Sequence, residues 1–348
     1  MEYTKNKSKP YVDIAKFFFA VNIVLLHYGV IGQLPFGALI TAMVTRLAVP
    51  YFFVASGYFW ARKMHGAAEP AEHKAITVGY CKRMGLKLLI FEPISIAIVL
   101  IECIIRKNLT AATWVSILQG ILFYPLGSLW YIQALIVAVI LLTPFVSRKK
   151  EHLSIIPALI LYLVGALGNR YFFLTDDTIL EYLFYRYDEI FITTRNGLFF
   201  GLPFVLLGCL ISRFETYVLK PGAAQTRKLA VLFLLCWGLC FAEYRLVSPC
   251  PGHGDNAMYI SYFLAVPLLF LLTAQADAPR WNTITLRNLS TSIYLIQRPI
   301  GIVVENVLIG CLDIHSVAWT AGIGIFVTSL VCAFAYRNKR QPFYGWLT

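Results

Sequence analysis

The sequence predicts an all-α, polytopic membrane bundle of about ten transmembrane helices, with both termini on the cytoplasmic side. Three observations carry this. Of 348 residues, 59% are hydrophobic and only 14% charged, where soluble domains carry about a quarter charged. The apolar residues gather in ten runs, each suited to crossing about 30 Å of hydrocarbon as a helix. Basic residues alternate between the segments joining those runs, with a strong bias to one side. The composition excludes disordered, collagen-like and ordinary cytosolic classes. The net charge of +12 forms no continuous basic stripe, so the expected surroundings are membrane lipids and not nucleic acid.

Taken in order, the runs are 11–31, 44–61, 85–105, 128–147, 153–173, 197–212, 228–246, 257–274, 288–310 and 317–336. The first follows lysines, as a signal peptide would. It contains Asn22 and His27 and lacks a small-x-small cleavage site, so it reads as a retained helix. Thr113 to Tyr124 is apolar but about twelve residues long, which suits a re-entrant or interfacial helix. With the N-terminus cytoplasmic, the inside segments hold twenty of the thirty Lys and Arg residues, among them Lys5, Lys7, Arg280 and Arg287, against five outside. The longest polar segments, 62–84 and 174–195, are too short for cores of their own. The expectation is one integral-membrane domain over residues 1–348. Eight cysteines form no CxxC pair and no metal-ligand pattern, so no metal is expected. Cys250 and Cys311, near outside loops, leave room for a disulfide.

Ionisable groups inside spans are costly unless they face the bundle interior or water. The first run carries Asp13, Lys16 and His27. His27 follows Lys16 by eleven positions, which puts them within about 20° of one helix face and about 16 Å apart along the axis. Asp13 lies within about 40° of His27. A histidine here can serve as an interhelical hydrogen-bonding residue, and a lysine near a helix end can snorkel; their shared face favours a functional stripe. Applying the topology gives two polar zones. Arg46, Glu102, Arg195, Glu243, Arg245 and Glu305 fall toward the outer side with His27. Lys16, Arg62, Lys63, Lys82, Arg83 and Lys87 form a basic inner zone.

These residues bring a family into view. The Lys16-x10-His27 spacing resembles the Arg-x10-His motif of the multi-spanning acyltransferase family 3, with lysine replacing arginine as in several subgroups. RLAVPYFFVASGYFWARK from Arg46 to Lys63 resembles that family's second helix. CKRMGLKLL, GSLWYIQALIVAVILLTP, TTRNGLFFGLPFVLLGCLIS and NLSTSIYLIQRPI resemble later landmarks in the same order.

The resemblance implies transfer of an acyl group, often acetyl, from acyl-CoA to a hydroxyl or amine of a cell-envelope glycan or lipid at the cytoplasmic membrane. Acyl-CoA, typically acetyl-CoA, would be the donor substrate, with no permanently bound cofactor. Lys16, Arg83 and Lys87 would hold the CoA phosphates. His27 would take the acceptor's proton or accept the acyl group covalently. Arg46 or Arg195 would stabilise the thioester oxyanion or bind the acceptor, Arg46 being expected with His27 at the chemistry and Arg195 and Glu102 at the acceptor. One departure stands out. The family's Tyr-Leu-Ile-His landmark appears as Tyr294, Leu295, Ile296 and then Gln297, which hydrogen-bonds but cannot shuttle a proton. Two other readings stay open. One is a transporter or exporter of an amino acid or envelope precursor, since some members are membrane modules attached to a racemase; Pro203 and Pro267 are candidate kinks for it. The other is a noncatalytic partner-binding module.

Overall fold

The computed structural model describes residues 9–220, 222–275 and 282–348. Lys5, Lys7 and Arg280, used above to orient the chain, lie outside the described residues. Among the described residues there are helices and no strands. In order they are α1 (Pro10–His27), α2 (Gly37–Met43), α3 (Ala48–Gly66), α4 (Pro70–Ile105) and α5 (Ala111–Phe123). Next come α6 (Trp130–Ser147), α7 (Ile155–Leu167), α8 (Ile179–Phe191), α9 (Leu202–Arg213) and α10 (Glu215–Val218). The last are α11 (Ala223–Val247), α12 (Tyr262–Gln275), α13 (Ile284–Glu305), α14 (Val317–Arg337) and α15 (Pro342–Leu347).

Every one of the ten apolar runs contains a helix. Seven helical stretches among the described residues are long and apolar enough to cross a membrane: α1, 37–66, α4, α6, α11, 284–311 and α14. Four more, α5, 151–167, 197–213 and α12, are apolar but have at most 17 residues. Their ends are set locally. The Asn196 side chain accepts from the amides of Leu198 and Phe199 and starts a π-helical turn, Gly197–Gly201, that feeds α9. Pro203 then falls at the start of α9, directly after that π-helical turn, whereas Pro267 lies inside α12.

Segment 62–84, expected as a polar connection, is almost wholly helical. Only residues 67–69 separate α3 from α4. Glu69 and Glu72 form a capping box there, and the 36 residues of α4 reach about 54 Å, well beyond the hydrocarbon thickness. Segment 174–195 likewise contains α8, begun by the Thr178 side chain accepting from Leu180 N.

The core is centred on α3 and α9, whose backbones touch. A Cβ on Gly57 would lie 2.2 Å from the Val205 carbonyl oxygen, and one on Gly208 would lie 2.1 Å from that of Val54. Small residues allow such approach where lipid supplies no hydrophobic drive between helices. Around this pair, α6 and α12 pack inward, α1 packs on α13, and α13 on α14. Leu89, Ile156, Leu246 and Phe326 point outward and are exposed, as lipid-facing side chains should be. At the end of the bundle bearing Lys16, His65 joins three helix ends, with Nε2 2.5 Å from Glu151 Oε1 and Nδ1 3.2 Å from Ser212 Oγ. All eight cysteines are free thiols, Cys250 and Cys311 included.

Candidate active site

Helix α1 carries Asp13 and Lys16 toward its start and His27 at its end, and a different site forms at each end. At the Lys16 end, a cavity of about 270 Å³ is lined by Lys16, Tyr80, Lys87, Arg287, Asn288 and Tyr294, with Phe52, Tyr131 and others on its apolar wall. Lys16 Nζ sits 5.4 Å from the Phe59 ring centroid. Lys87 is buried, and its Nζ has no hydrogen-bond partner. Arg83, one turn earlier on α4, lies over the Tyr80 ring at 5.9 Å and within electrostatic reach of Lys87. Asp13, on the same face of α1, is buried and accepts from Thr283 Oγ1 at 2.7 Å. Positive groups crowded in a weakly polar cavity repel one another, and an anion in their midst reverses that cost. Lys16 and Lys87 thus share one cavity, while Arg83 lies beside Lys87 and does not line it. Arg287 is the addition: its position in the sequence, among basic residues flanking a span, reads as topology alone.

At the other end, His27 Nδ1 lies 3.1 Å from Gln297 Oε1. A carbonyl oxygen only accepts, so Nδ1 carries the proton and Nε2 presents its lone pair. Tyr28 fixes this end of α1. Its hydroxyl donates to the Gln297 carbonyl at 2.8 Å and lies 3.1 Å from Thr328 Oγ1. Its ring fits against Gly301 and Gly324, where a Cβ would come within 2.5 and 2.8 Å of ring atoms. The imidazole is exposed, whereas Gln297 is fully buried.

Arg298, Arg195 and Arg46 all lie within electrostatic reach of His27. Arg46 and Arg195 share one carboxylate, Asp255, in the connection between α11 and α12. Arg46 Nη1 is 3.0 Å from Asp255 Oδ2, and its Nη2 donates to the Asp255 carbonyl at 2.6 Å. Arg195 Nη1 pairs with the same Oδ2. Arg195 also donates to Tyr124 Oη at 2.6 Å and lies 4.4 Å over Trp130, while its Nε has no partner. Burial alone would raise the Asp255 carboxyl; the charges of Arg195 and Arg46 outweigh it and hold the group below the ordinary carboxylate range. Asn169 orients the connection: its Nδ2 donates to Asp255 Oδ1 at 3.3 Å, and its Oδ1 accepts from Ala257 N at 2.8 Å and Met258 N at 3.1 Å. Asp255 escapes sequence reasoning because it lies between two runs, and Asn169, though inside the run 153–173, falls in the turn after α7 ends at Leu167, where helical spacing no longer applies.

Glu102 does not join this cluster. It pairs with Arg106 at 3.1 Å and lines a separate cavity with Arg298 and Glu305. Glu243, also expected in the outer zone, caps the start of α12 by accepting from Ile260 N at 2.6 Å and Ser261 N at 2.9 Å.

A protein-family model described as an acyltransferase domain matches residues 9–337. Among curated proteins, a "Serine/alanine racemase" of Enterococcus gallinarum is 30% identical over 274 residues, covering 77% of this chain and 36% of that protein. Two proteins of Enterococcus faecalis named "Amino-acid racemase" are 29% identical over 219 residues (60% of this chain, 29% of the relative) and 24% over 307 (85% and 41%). The chain therefore spans between roughly three tenths and two fifths of the relatives it matches. No solved structure matches it significantly.

Proposed function

Since this chain belongs to the acyltransferase domain family, whose match spans nearly its whole length, we propose that it is a multi-pass enzyme of the cytoplasmic membrane that transfers an acyl group, typically acetyl, from acyl-CoA to a hydroxyl or amine of an envelope glycan or lipid. The chain crosses ten times with both termini cytoplasmic, so the Lys16 end meets the cytoplasmic pool of acyl-CoA. The observation that carries the reading is the unpartnered, buried Lys87 ammonium in a cavity shared with Lys16 and Arg287, at the far end of the helix that bears His27.

Lys16, Lys87 and Arg287, with Arg83 beside them, bind the donor's phosphates. The pantetheine arm brings the thioester toward His27. Nε2 of His27 takes the proton from the acceptor's hydroxyl or amine as that atom attacks the thioester carbonyl. The tetrahedral intermediate collapses, the C–S bond breaks, and the departing sulfur takes the proton back from His27. Arg195, with its spare Nε–H, stabilises the oxyanion. Arg46, tied to Asp255 by side chain and backbone, contributes positive potential and holds the connection in place.

The test uses purified full-length protein. His27→Ala should lower acyl transfer by at least about a hundredfold with acyl-CoA binding intact. Lys87→Gln should weaken acyl-CoA binding about tenfold, roughly 1.4 kcal/mol. Full transfer activity in His27→Ala would overturn the assignment. Mass spectrometry of envelope glycans and lipids from cells with and without the protein identifies the acceptor by a lost acyl group. The racemase names of the relatives favour one second reading, a membrane module that moves an amino acid or envelope precursor. Solute uptake into proteoliposomes, unaffected by His27→Ala, would establish that reading instead.

A further inference from the structure

The cavity that holds Glu102 is unlike the donor pocket. It occupies about 370 Å³ between α4, α13 and the turn before α6, and Glu102, Ser128, Arg298, Glu305 and Asn306 supply its polar wall. Arg298 and Glu305 are seven residues apart on α13, two turns on one face, so their Cα atoms stand about 10 Å apart along the axis. Neither has a hydrogen-bond or ion-pair partner among the described residues. Glu102, across the cavity on α4, is held by Arg106, which also donates to Asn306 Oδ1 at 3.2 Å. Arg298 is half-buried and Glu305 exposed, so the two opposite charges, standing apart on one helix face, are open to a ligand that bears both signs. Arg298 directly follows Gln297, the partner of His27, and its charge reaches the imidazole. The cavity therefore adjoins the base and lies away from the cationic donor pocket.

We propose that this cavity is the acceptor site and that it selects a zwitterionic acceptor, whose anionic group, a carboxylate or a phosphate, pairs with Arg298, whose ammonium is held by Glu305 and Glu102, and whose separate hydroxyl takes the acyl group. This rests on the acyl-transfer reading for the word acceptor, while the selection of a zwitterion rests on the cavity alone. One charge on the ligand would leave one wall charge unmatched; two opposite charges satisfy both walls.

The experiment measures binding to the full-length protein in detergent, without acyl-CoA, by saturation-transfer NMR. Four probes are used: glycine and O-phosphoethanolamine as zwitterions, ethanolamine as a cation alone and glycolate as an anion alone. Both zwitterions, or one of them, should bind at least about tenfold tighter than either single-charge probe. Preference for glycine or for phosphoethanolamine then tells a carboxylate from a phosphate acceptor. Arg298→Gln and Glu305→Gln should each remove that preference, with acyl-CoA binding at the opposite end serving as the check that the variants fold. Equal binding of ethanolamine or glycolate, no binding of any probe, or an unchanged preference in both variants overturns the proposal. Zwitterion binding by a protein that transfers no acyl group to any envelope glycan or lipid would overturn the enzymatic reading and the acceptor role while leaving the selectivity measured. Acyl transfer without zwitterion binding would overturn this proposal alone.

Discussion

Gln297 stands where the family's pattern carries a second histidine, and an amide cannot move a proton. In the structure it holds His27, the base of the proposed mechanism. Oε1 accepts from His27 Nδ1, which selects the tautomer whose free nitrogen is Nε2. Gln297→Leu should therefore lower kcat about tenfold to a hundredfold, less than loss of His27 itself, with acyl-CoA affinity unchanged; kinetics on the purified variant check this. Asp255 invites a second substitution. Asp255→Ala leaves two neighbouring guanidiniums without their shared anion, at a cost of about 1–3 kcal/mol, between the exposed and buried limits for ion pairs, read as a lower unfolding temperature. The folded-state carboxyl is held low, so its contribution is complete above the ordinary value of about 4 and is lost as pH falls through the lower folded value. An Asp255→Asn variant should lack that acid-dependent component in a titration of unfolding temperature against pH.

Helices α3 and α9 meet backbone to backbone, and the two glycines that permit it sit in the Ser-Gly-aromatic and Leu-Gly-Cys stretches of their runs. Gly57→Leu or Gly208→Leu would push a side chain into a carbonyl at 2.2 or 2.1 Å, so each should destabilise the bundle by at least about 3 kcal/mol or prevent its assembly, seen as loss of the monodisperse peak on size-exclusion chromatography. Tyr28→Phe removes only a hydroxyl that bonds Gln297 and Thr328, about 1 kcal/mol. The existence of these elements is legible in the sequence, since hydropathy alone places a helix in each of the ten runs. Their lengths are not. The capping box at Glu69 and Glu72 extends α4 through a stretch whose charges read as a connection, and the π-helical turn at Gly197 depends on where Asn196 finds its backbone partners.

For the whole molecule, the orientation proposed from the basic residues has a direct check. Helix α13 begins beside Lys16, where Arg287 lines the proposed donor pocket, and passes Gln297 on its way to Glu305. The exposed Cys311 therefore lies at the His27 end. A membrane-impermeant maleimide should label it in intact cells; labelling only after lysis would reverse the orientation.

The sequence by itself determined the helical class, the bilayer as solvent and the pairing of Lys16 with His27 on one face, because helical periodicity and the cost of charge in hydrocarbon are local properties of the chain. Only the tertiary structure decided that Arg287 shares a cavity with Lys16 and Lys87, that Asp255 joins Arg46 to Arg195, that Gln297 sets the tautomer of His27 and that Glu102 lines a cavity with Arg298. Each of these contacts links residues from different helices or connections, and their meeting depends on how α1, α4 and α13 pack and on the course of the connection before α12, which no spacing along the chain records.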